Sequence, residues 1–436
     1  MTDAQRSLPL SGIRVLDLTH VWSGPSATRL LAGLGAEVIK IEGAHRRDFL
    51  RGTGTADARS RYPDQDYGPD PWNRNAWFNT VNTDKRDIVL DLKDPEGLEL
   101  ALLLAERSHL VMANFRPGVL DRMGLGYAAL CERRPDISLI EMTGYGRSGP
   151  MAGLQAYGAQ FDAMSGSAFL TGDGKEPLLT GFALSDPIAG LAAATAATSA
   201  IAHWRRTGRG SCIEVIQRDA MIPLHGEYLL AASRGEEVAE ELNADARIPV
   251  QGMFVAQDGR WLALSVHDQE AWERLCALLD DQAGDALGAY RTVEQARDSS
   301  SRVLDIIATW VLRQEADVAE LAHRMQENGV AAAPVNTAAE VYEDPDLHRG
   351  FLVELDHPRV GRHHYPGLPL TIDGRRCAPR AAAPVLDADT DDVLRERLGM
   401  SEAEVRRCRE RGVIGVPEDL AVATRPASTQ VMERTR

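Results

Sequence analysis

Residues 13–42 constrain the fold more than any other stretch of the chain. Residues 13–18 are a run of β-branched residues and leucine, and His20-Val-Trp-Ser-Gly-Pro25 follows as a turn. Residues 26–35 then space Leu30, Leu31 and Leu34 along one helical face, and residues 37–42 return to a strand pattern. Strand, helix and strand joined this closely form a βαβ unit, which demands a parallel sheet. The alternation resumes with predicted strands at 88–92, 109–113 and 137–142 and a helix at 95–106. The expected fold class is α/β, with an open sheet.

At 436 residues the chain exceeds the size at which one hydrophobic core stops growing, so two domains are expected. Residues 52–74, rich in Gly, Asp, Arg and Pro, have no apolar periodicity and are long for a loop, as functional or mobile loops are. The acidic stretch RGEEVAEELNADAR, from Arg234 to Arg247, separates an alanine-rich helical region from a new β-pattern and marks an interdomain crossing. Beyond it, residues 252–256 and 261–265 flank Asp258-Gly259 and read as a hairpin. Trp272, Leu275 and Leu279 share one helical face and Val303, Ile306, Ile307 and Trp310 another, as core residues do. The boundaries expected are 1–222 for the first part of a large domain, 223–345 for a linker and small domain, and 346–436 for a segment returning to the large domain with a frayed tail after Pro417.

The formal charge of -16 repels nucleic acid and anionic membranes, so neither is an expected partner. The five cysteines are scattered without the paired spacing of a zinc site or a redox pair. No metal or redox cofactor is expected. The apolar run at 190–204 is mainly alanine and threonine and is short for a membrane span, so it reads as a packed internal helix. With a polar N-terminus lacking a signal-peptide core, the chain is expected in the cytoplasm.

Two places carry possible chemistry. A helix starting after His20-Val-Trp-Ser-Gly-Pro25 offers free N–H groups to an anion. Glu42 then stands where a ribose-binding acid would, but a dinucleotide site lacks its three glycines, since only Gly24 is present and Pro25 follows. Asp186 lies in Leu184-Ser-Asp-Pro-Ile-Ala-Gly190, before a proline suited to the first turn of a helix. Aspartate there is either a helix N-cap or a nucleophile, ionised at neutral pH without a partner base. The local residues leave both readings open.

The stretch VLDLTHVWSGPSATRLLAGLGAEVIKIE resembles the opening of the family III CoA-transferases, which include formyl-CoA and carnitine CoA-transferases. The resemblance continues through NTDKRDIVLDLKDPEG, NFRPGVLDRMGLGY, TGYGRSGP, YGAQFDAMSG and the segment holding Asp186. It returns in GVAAAPVNTAAEVYEDPDLHRGF and DDVLRERLGMSEAEVRRCRERGVI, spanning roughly residues 10–415 in order. It implies a Rossmann-like large domain built from both chain ends, a smaller inserted α+β domain, and an interlocked homodimer. It places the catalytic aspartate on Asp186. CoA contacts fall on Trp22, Ser23, Leu90, Lys93, Asn114, Phe115, Arg116, Arg122, Gly144 and Tyr145. Lys93, Arg116 and Arg122 would meet the phosphates of CoA. Trp22 stands where the formyl-CoA enzymes carry glutamine, and Gly158 and Asp162 replace the aspartate and glutamine common in their motif.

The implied activity is acyl-CoA:carboxylate CoA transfer through an aspartyl anhydride and an aspartyl-CoA thioester. The alternatives are an α-methylacyl-CoA racemase of the same superfamily and a non-catalytic CoA-transferase subunit. Racemases carry histidine at the position of Tyr157, and tyrosine is a poor base at neutral pH.

Overall fold

The computed structural model describes residues 8–43, 46–52, 58–171, 176–236, 245, 247–279 and 281–416. The tail from Pro417 and most of the acidic crossing, at 237–244, lie outside the described residues. The chain forms two compact units. One contains residues 1–167, 179–230 and 345–436, and the other residues 168–178 and 231–344.

The first unit is built on six parallel strands: β1 (Arg14–Asp17), β2 (Glu37–Gly43), β3 (Lys85–Leu90), β4 (Leu110–Ala113), β5 (Ser138–Thr143) and β6 (Cys212–Ile216). Their order is β3-β2-β1-β4-β5-β6. Because successive side chains leave a strand on opposite faces, the inner strands β2, β1, β4 and β5 each feed two cores. Val15, Val38, Leu110 and Ile140 pack beneath the Ser23–Gly33 and Ser185–Thr207 helices. Leu16, Ile39, Val111 and Leu139 pack instead with Leu100 and Leu104 of the Pro95–Glu106 helix and with Val393, Leu394 and Val405 from near the C-terminus. Near-continuous apolar strands are what a sheet covered on both faces requires.

The Ser185–Thr207 helix is only half internal, which corrects the packed-helix expectation. Ala189, Ala193, Ala197 and Ala200 are buried, while Leu191, Thr195 and Ser199 are exposed. Its small residues serve close approach. A Cβ on Gly190 would stand 2.9 Å from the Ser23 carbonyl oxygen, so this glycine lets the two helices approach backbone to backbone. Among the described residues no helix is long and apolar enough to cross a membrane. The segment at 52–74 contains short 3₁₀ turns at Arg59–Arg61, Pro63–Gln65 and Pro71–Asn73 that bury Tyr62, Trp72 and Asn73.

In the second unit β7 (Val250–Val255), β8 (Trp261–Val266) and β9 (Ala331–Pro334) form an antiparallel sheet in that order. The Gln269–Leu278, Ser300–Arg313 and Val318–Glu327 helices contribute to its core, with Trp272 and Trp310 inside as their spacing predicts. The Trp272 indole N–H donates to the Tyr290 carbonyl at 2.9 Å.

Candidate active site

All the candidate site residues lie in the first unit. β1 ends at Asp17, and the chain turns through Thr19, His20 and Val21 into the Ser23–Gly33 helix. Side chains from elsewhere hold this turn. Asp17 accepts from the Thr19 amide at 2.8 Å and the Thr19 hydroxyl at 2.6 Å. Asn114, just past β4, accepts from the His20 amide at 2.8 Å and donates to its carbonyl at 2.6 Å. Asp48 accepts from the Val21 amide at 2.9 Å, while Lys40 donates to the Thr19 carbonyl at 2.6 Å and to Asp48 at 2.9 Å. Val21 has φ 67°, a left-handed conformation that costs a β-branched residue on the order of 1–2 kcal/mol. Such strain persists only where the surroundings over-determine it, and here they do.

Behind the turn lies a set of wholly buried charges. Lys85 reaches Asp17 at 3.2 Å, and Arg51 binds Glu42 at 2.7 Å and Asp87 at 3.1 Å while stacking 3.7 Å above the Phe78 ring. Burial and the charge of Glu42 push the Asp87 carboxyl well above its ordinary range, against the pull of Arg51. Lys40, Arg51 and Lys85 each pair with at least one carboxylate of this set. Glu42 is therefore structural. Its oxygens serve Arg51 and the Asp48 amide, and no ribose could reach it, which disposes of the dinucleotide reading.

Asp186 is the second residue of the Ser185–Thr207 helix, and its carboxylate is not the cap. The N-cap is Leu184, and Asp162 takes the first amides, accepting from Leu184 at 3.1 Å and Ser185 at 2.9 Å. The Ser185 hydroxyl donates to the Gly158 carbonyl at 2.9 Å. Of the two roles open to Asp186, the geometry thus fills the structural one with another residue. The Asp186 carboxylate is partly buried, with the Ser23 hydroxyl near enough to favour its ionised form. Burial and the Asp162 charge raise its pKa to about 6, against the opposing pull of Ser23. Gly158 makes room for it: a Cβ there would stand 2.1 Å from Ala183 Cβ and 2.6 Å from Asp186 Oδ2. Were Asp186 to act as a nucleophile it would have to be ionised, and kcat/KM would then fall about tenfold per pH unit below about 6 and level off above it, as a pH–rate profile would show.

Parallel strands put the loops after β1, β3, β4 and β5 at one edge of the sheet, around the β1/β4 junction where the strand order reverses. Ligands of open α/β sheets bind at such an edge. Trp22 is partly buried with its ring 5.5 Å from that of Trp77, and the Asn114 amide stands 3.5 Å from the Ser23 hydroxyl. Phe115 packs partly into the core and sits 5.7 Å from the His20 ring. Tyr145 is buried edge-on to Phe161 at 5.4 Å, and its hydroxyl donates to Met164 Sδ at 3.1 Å. Gly144 passes close to the same Phe161, where a Cβ would lie 3.1 Å from the ring. Lys93, Arg116 and Arg122 are exposed, and among the described residues none has an acidic ion-pair partner.

Leu90 departs from the expected set. Its side chain is fully buried in the core and its backbone bridges to Ile414, so it supports the loop that follows and offers no ligand surface. Residues that the sequence reading missed are Asp48 and Lys40, whose role depends on contacts distant in sequence, and Asp162, whose signal was its unusual identity within YGAQFDAMSG. Among the described residues no group of three or more His, Cys, Asp or Glu could hold a metal ion.

Comparison with known proteins points to one family. The model of the CoA-transferase family III matches residues 10–390. The chain is 31% identical over 417 residues to the succinyl-CoA–L-malate CoA-transferase alpha subunit of Chloroflexus aurantiacus, covering 94% of each chain. It is 30% identical over 424 residues to the succinyl-CoA:glutarate CoA-transferase of Mus musculus, covering 95% of this chain and 92% of the relative. Among solved structures, a CAIB/BAIF family protein from Brucella suis superposes with a TM-score of 0.76 at 25% identity, covering 90% of this chain and 100% of the other. With the match spanning both ends of the sheet and every segment that builds the Asp186 site, the chain belongs to CoA-transferase family III.

Proposed function

We propose that this CoA-transferase moves CoA from an acyl-CoA donor to an acceptor carboxylate with Asp186 as the covalent nucleophile. The observation that carries the reading is the Asp186 carboxylate itself, released from capping by Asp162 and held beside Ser23 at the carboxyl edge of the sheet. An Asp186 oxygen lone pair forms a C–O bond to the thioester carbonyl carbon, and the C–S bond breaks to release CoA thiolate. The thiolate attacks the Asp186 carbonyl carbon. The donor acid leaves as a carboxylate, and an aspartyl-CoA thioester remains. The acceptor carboxylate then displaces CoA thiolate from Asp186, and the thiolate attacks the acceptor's carbonyl to release product and the free aspartate. Each step exchanges one negative charge for another and needs no proton. Lys93, Arg116 and Arg122 hold the CoA phosphates, with Trp22, Asn114, Phe115, Gly144 and Tyr145 shaping the site.

The protein acts as a cytoplasmic homodimer in this reading. Exposed Leu154, Tyr157, Met164, Phe182 and Leu191 on the first unit supply apolar surface for a second copy. The two relatives are named for succinyl-CoA, so that thioester is the first donor to test. Incubation with succinyl-CoA or acetyl-CoA and a panel of mono- and dicarboxylic acids, read by mass spectrometry, is expected to give a new acyl-CoA with stoichiometric release of the donor acid. The racemase alternative gives a different readout. With a 2-methylacyl-CoA in deuterated water and no acceptor, no deuterium is expected at the α-carbon, because Tyr157 stands where that chemistry needs a histidine. Rapid uptake with no CoA transfer to any acid would overturn the transferase reading.

A further inference from the structure

Asp162 is 5% exposed, yet it belongs to a short helix, Gly158–Met164, and has no cation partner among the described residues. A buried carboxylate without a cation needs hydrogen-bond donors, and it finds them at the start of the Asp186 helix. Its two oxygens take the Leu184 and Ser185 amides separately, at 3.1 and 2.9 Å. The Ser185 hydroxyl returns a bond to the Gly158 carbonyl at 2.9 Å, so the Gly158–Met164 helix is fastened to the start of the Asp186 helix by three hydrogen bonds. Asp186 follows Ser185 directly. Any rotation of this first turn would swing its carboxylate, and the space left by Gly158 admits it in one direction.

We propose that Asp162 is a positioning residue for Asp186, fixing the first turn of its helix and setting beside it a negative charge whose repulsion is relieved when Asp186 is acylated. The second effect follows from the charge balance. In the first step the negative charge leaves Asp186 for the departing thiolate, so a neighbouring anion destabilises the free carboxylate more than the acylated one. Asp162 is the charged group whose field raises the Asp186 pKa, and the Ser23 hydroxyl from the Ser23–Gly33 helix opposes it. On the Gln217–Met221 helix, which also packs here, Arg218 and Asp219 neutralise each other at 2.6 Å. The proposal rests on Asp186 being the nucleophile.

The test compares Asp162→Asn and Asp162→Glu with the wild type, using succinyl-CoA and whichever acceptor the panel identifies. In Asp162→Asn the acid limb of kcat/KM is expected to move down by about one pH unit, and kcat at pH 8 to fall roughly tenfold. CoA affinity by calorimetry should stay within about twofold, because no CoA-facing group has changed. Glu keeps the charge and should leave the limb near the wild-type value while lowering kcat. A folded Asn variant with an unmoved limb overturns the proposal. If the Asn variant does not fold, the Glu variant decides: a limb fallen to the ordinary carboxylate range overturns it, and a retained limb with reduced kcat supports it. Asp186→Asn run alongside separates the two claims. If that variant turns over normally, the nucleophile reading fails. If it is inactive while Asp162→Asn keeps the wild-type limb, only the role of Asp162 fails.

Discussion

Asp186→Asn is expected to lower CoA transfer by roughly 10³-fold or more, the scale of removing a covalent nucleophile, with CoA binding retained. An amide cannot form the anhydride, and no second carboxylate stands ready, since both oxygens of Asp162 are bound to backbone amides. The covalent route makes a separate demand. Hydroxylamine added during wild-type turnover should convert Asp186 to a hydroxamate, and borohydride should reduce its thioester, on the peptide containing residues 184–190. Transfer at full rate with that peptide unmodified under both reagents would count against a covalent enzyme. Stability should move the other way. The folded-state pKa of about 6 lies above the unfolded value, so ionising Asp186 costs folding free energy as pH rises through that interval. The Asn variant should therefore melt a few degrees higher than the wild type above pH 7, and the gain should vanish below about pH 4.

Arg51→Met is expected to have the largest effect on the fold. The guanidinium is wholly buried, and its loss leaves Glu42 without its nearest cation while Asp87 loses a donor. Removing one partner of a buried ion pair costs about 3–5 kcal/mol. Whole domains are stable by only about 5–15 kcal/mol, so most of the variant should be insoluble or melt more than about 10 °C lower. The double variant Arg51→Met/Glu42→Gln should recover part of the loss, because the stranded charge is then gone. A single variant with near-native urea stability would show that the buried cluster relaxes or hydrates more freely than its packing indicates.

Five strands of the sheet were legible because each carries its own signal, whereas β6, with Glu214 at its centre, was not read from the sequence. The helix at Pro95–Glu106 matches to the residue, and the neighbouring strands differ from their predicted limits by a few positions at most. Val15 and Leu16 lie next to each other and are both apolar, which says that both faces are covered but not by which helices. The site was legible only in part. A carboxylate before a proline gives two readings, and the choice between them turns on Asp162, more than twenty residues away in sequence and joined to Asp186 only through packing. Leu90 shows the opposite failure. Motif resemblance placed it among the ligand contacts, whereas its apolar side chain belongs to the core that holds the contacts in place. Glu42 is a third case, since its position at a strand end fits a sugar ligand equally well until Arg51 is seen against it.

The strained turn at Val21 borrows its hydrogen bonds from Asp48 and from Asn114, and the latter lies beyond the fourth strand. No local stretch of chain can hold that shape by itself. In the folded chain Asn114, just past β4, holds both the amide and the carbonyl of His20. The shape of this turn thus depends on a residue 94 positions further along the chain than the amide it receives.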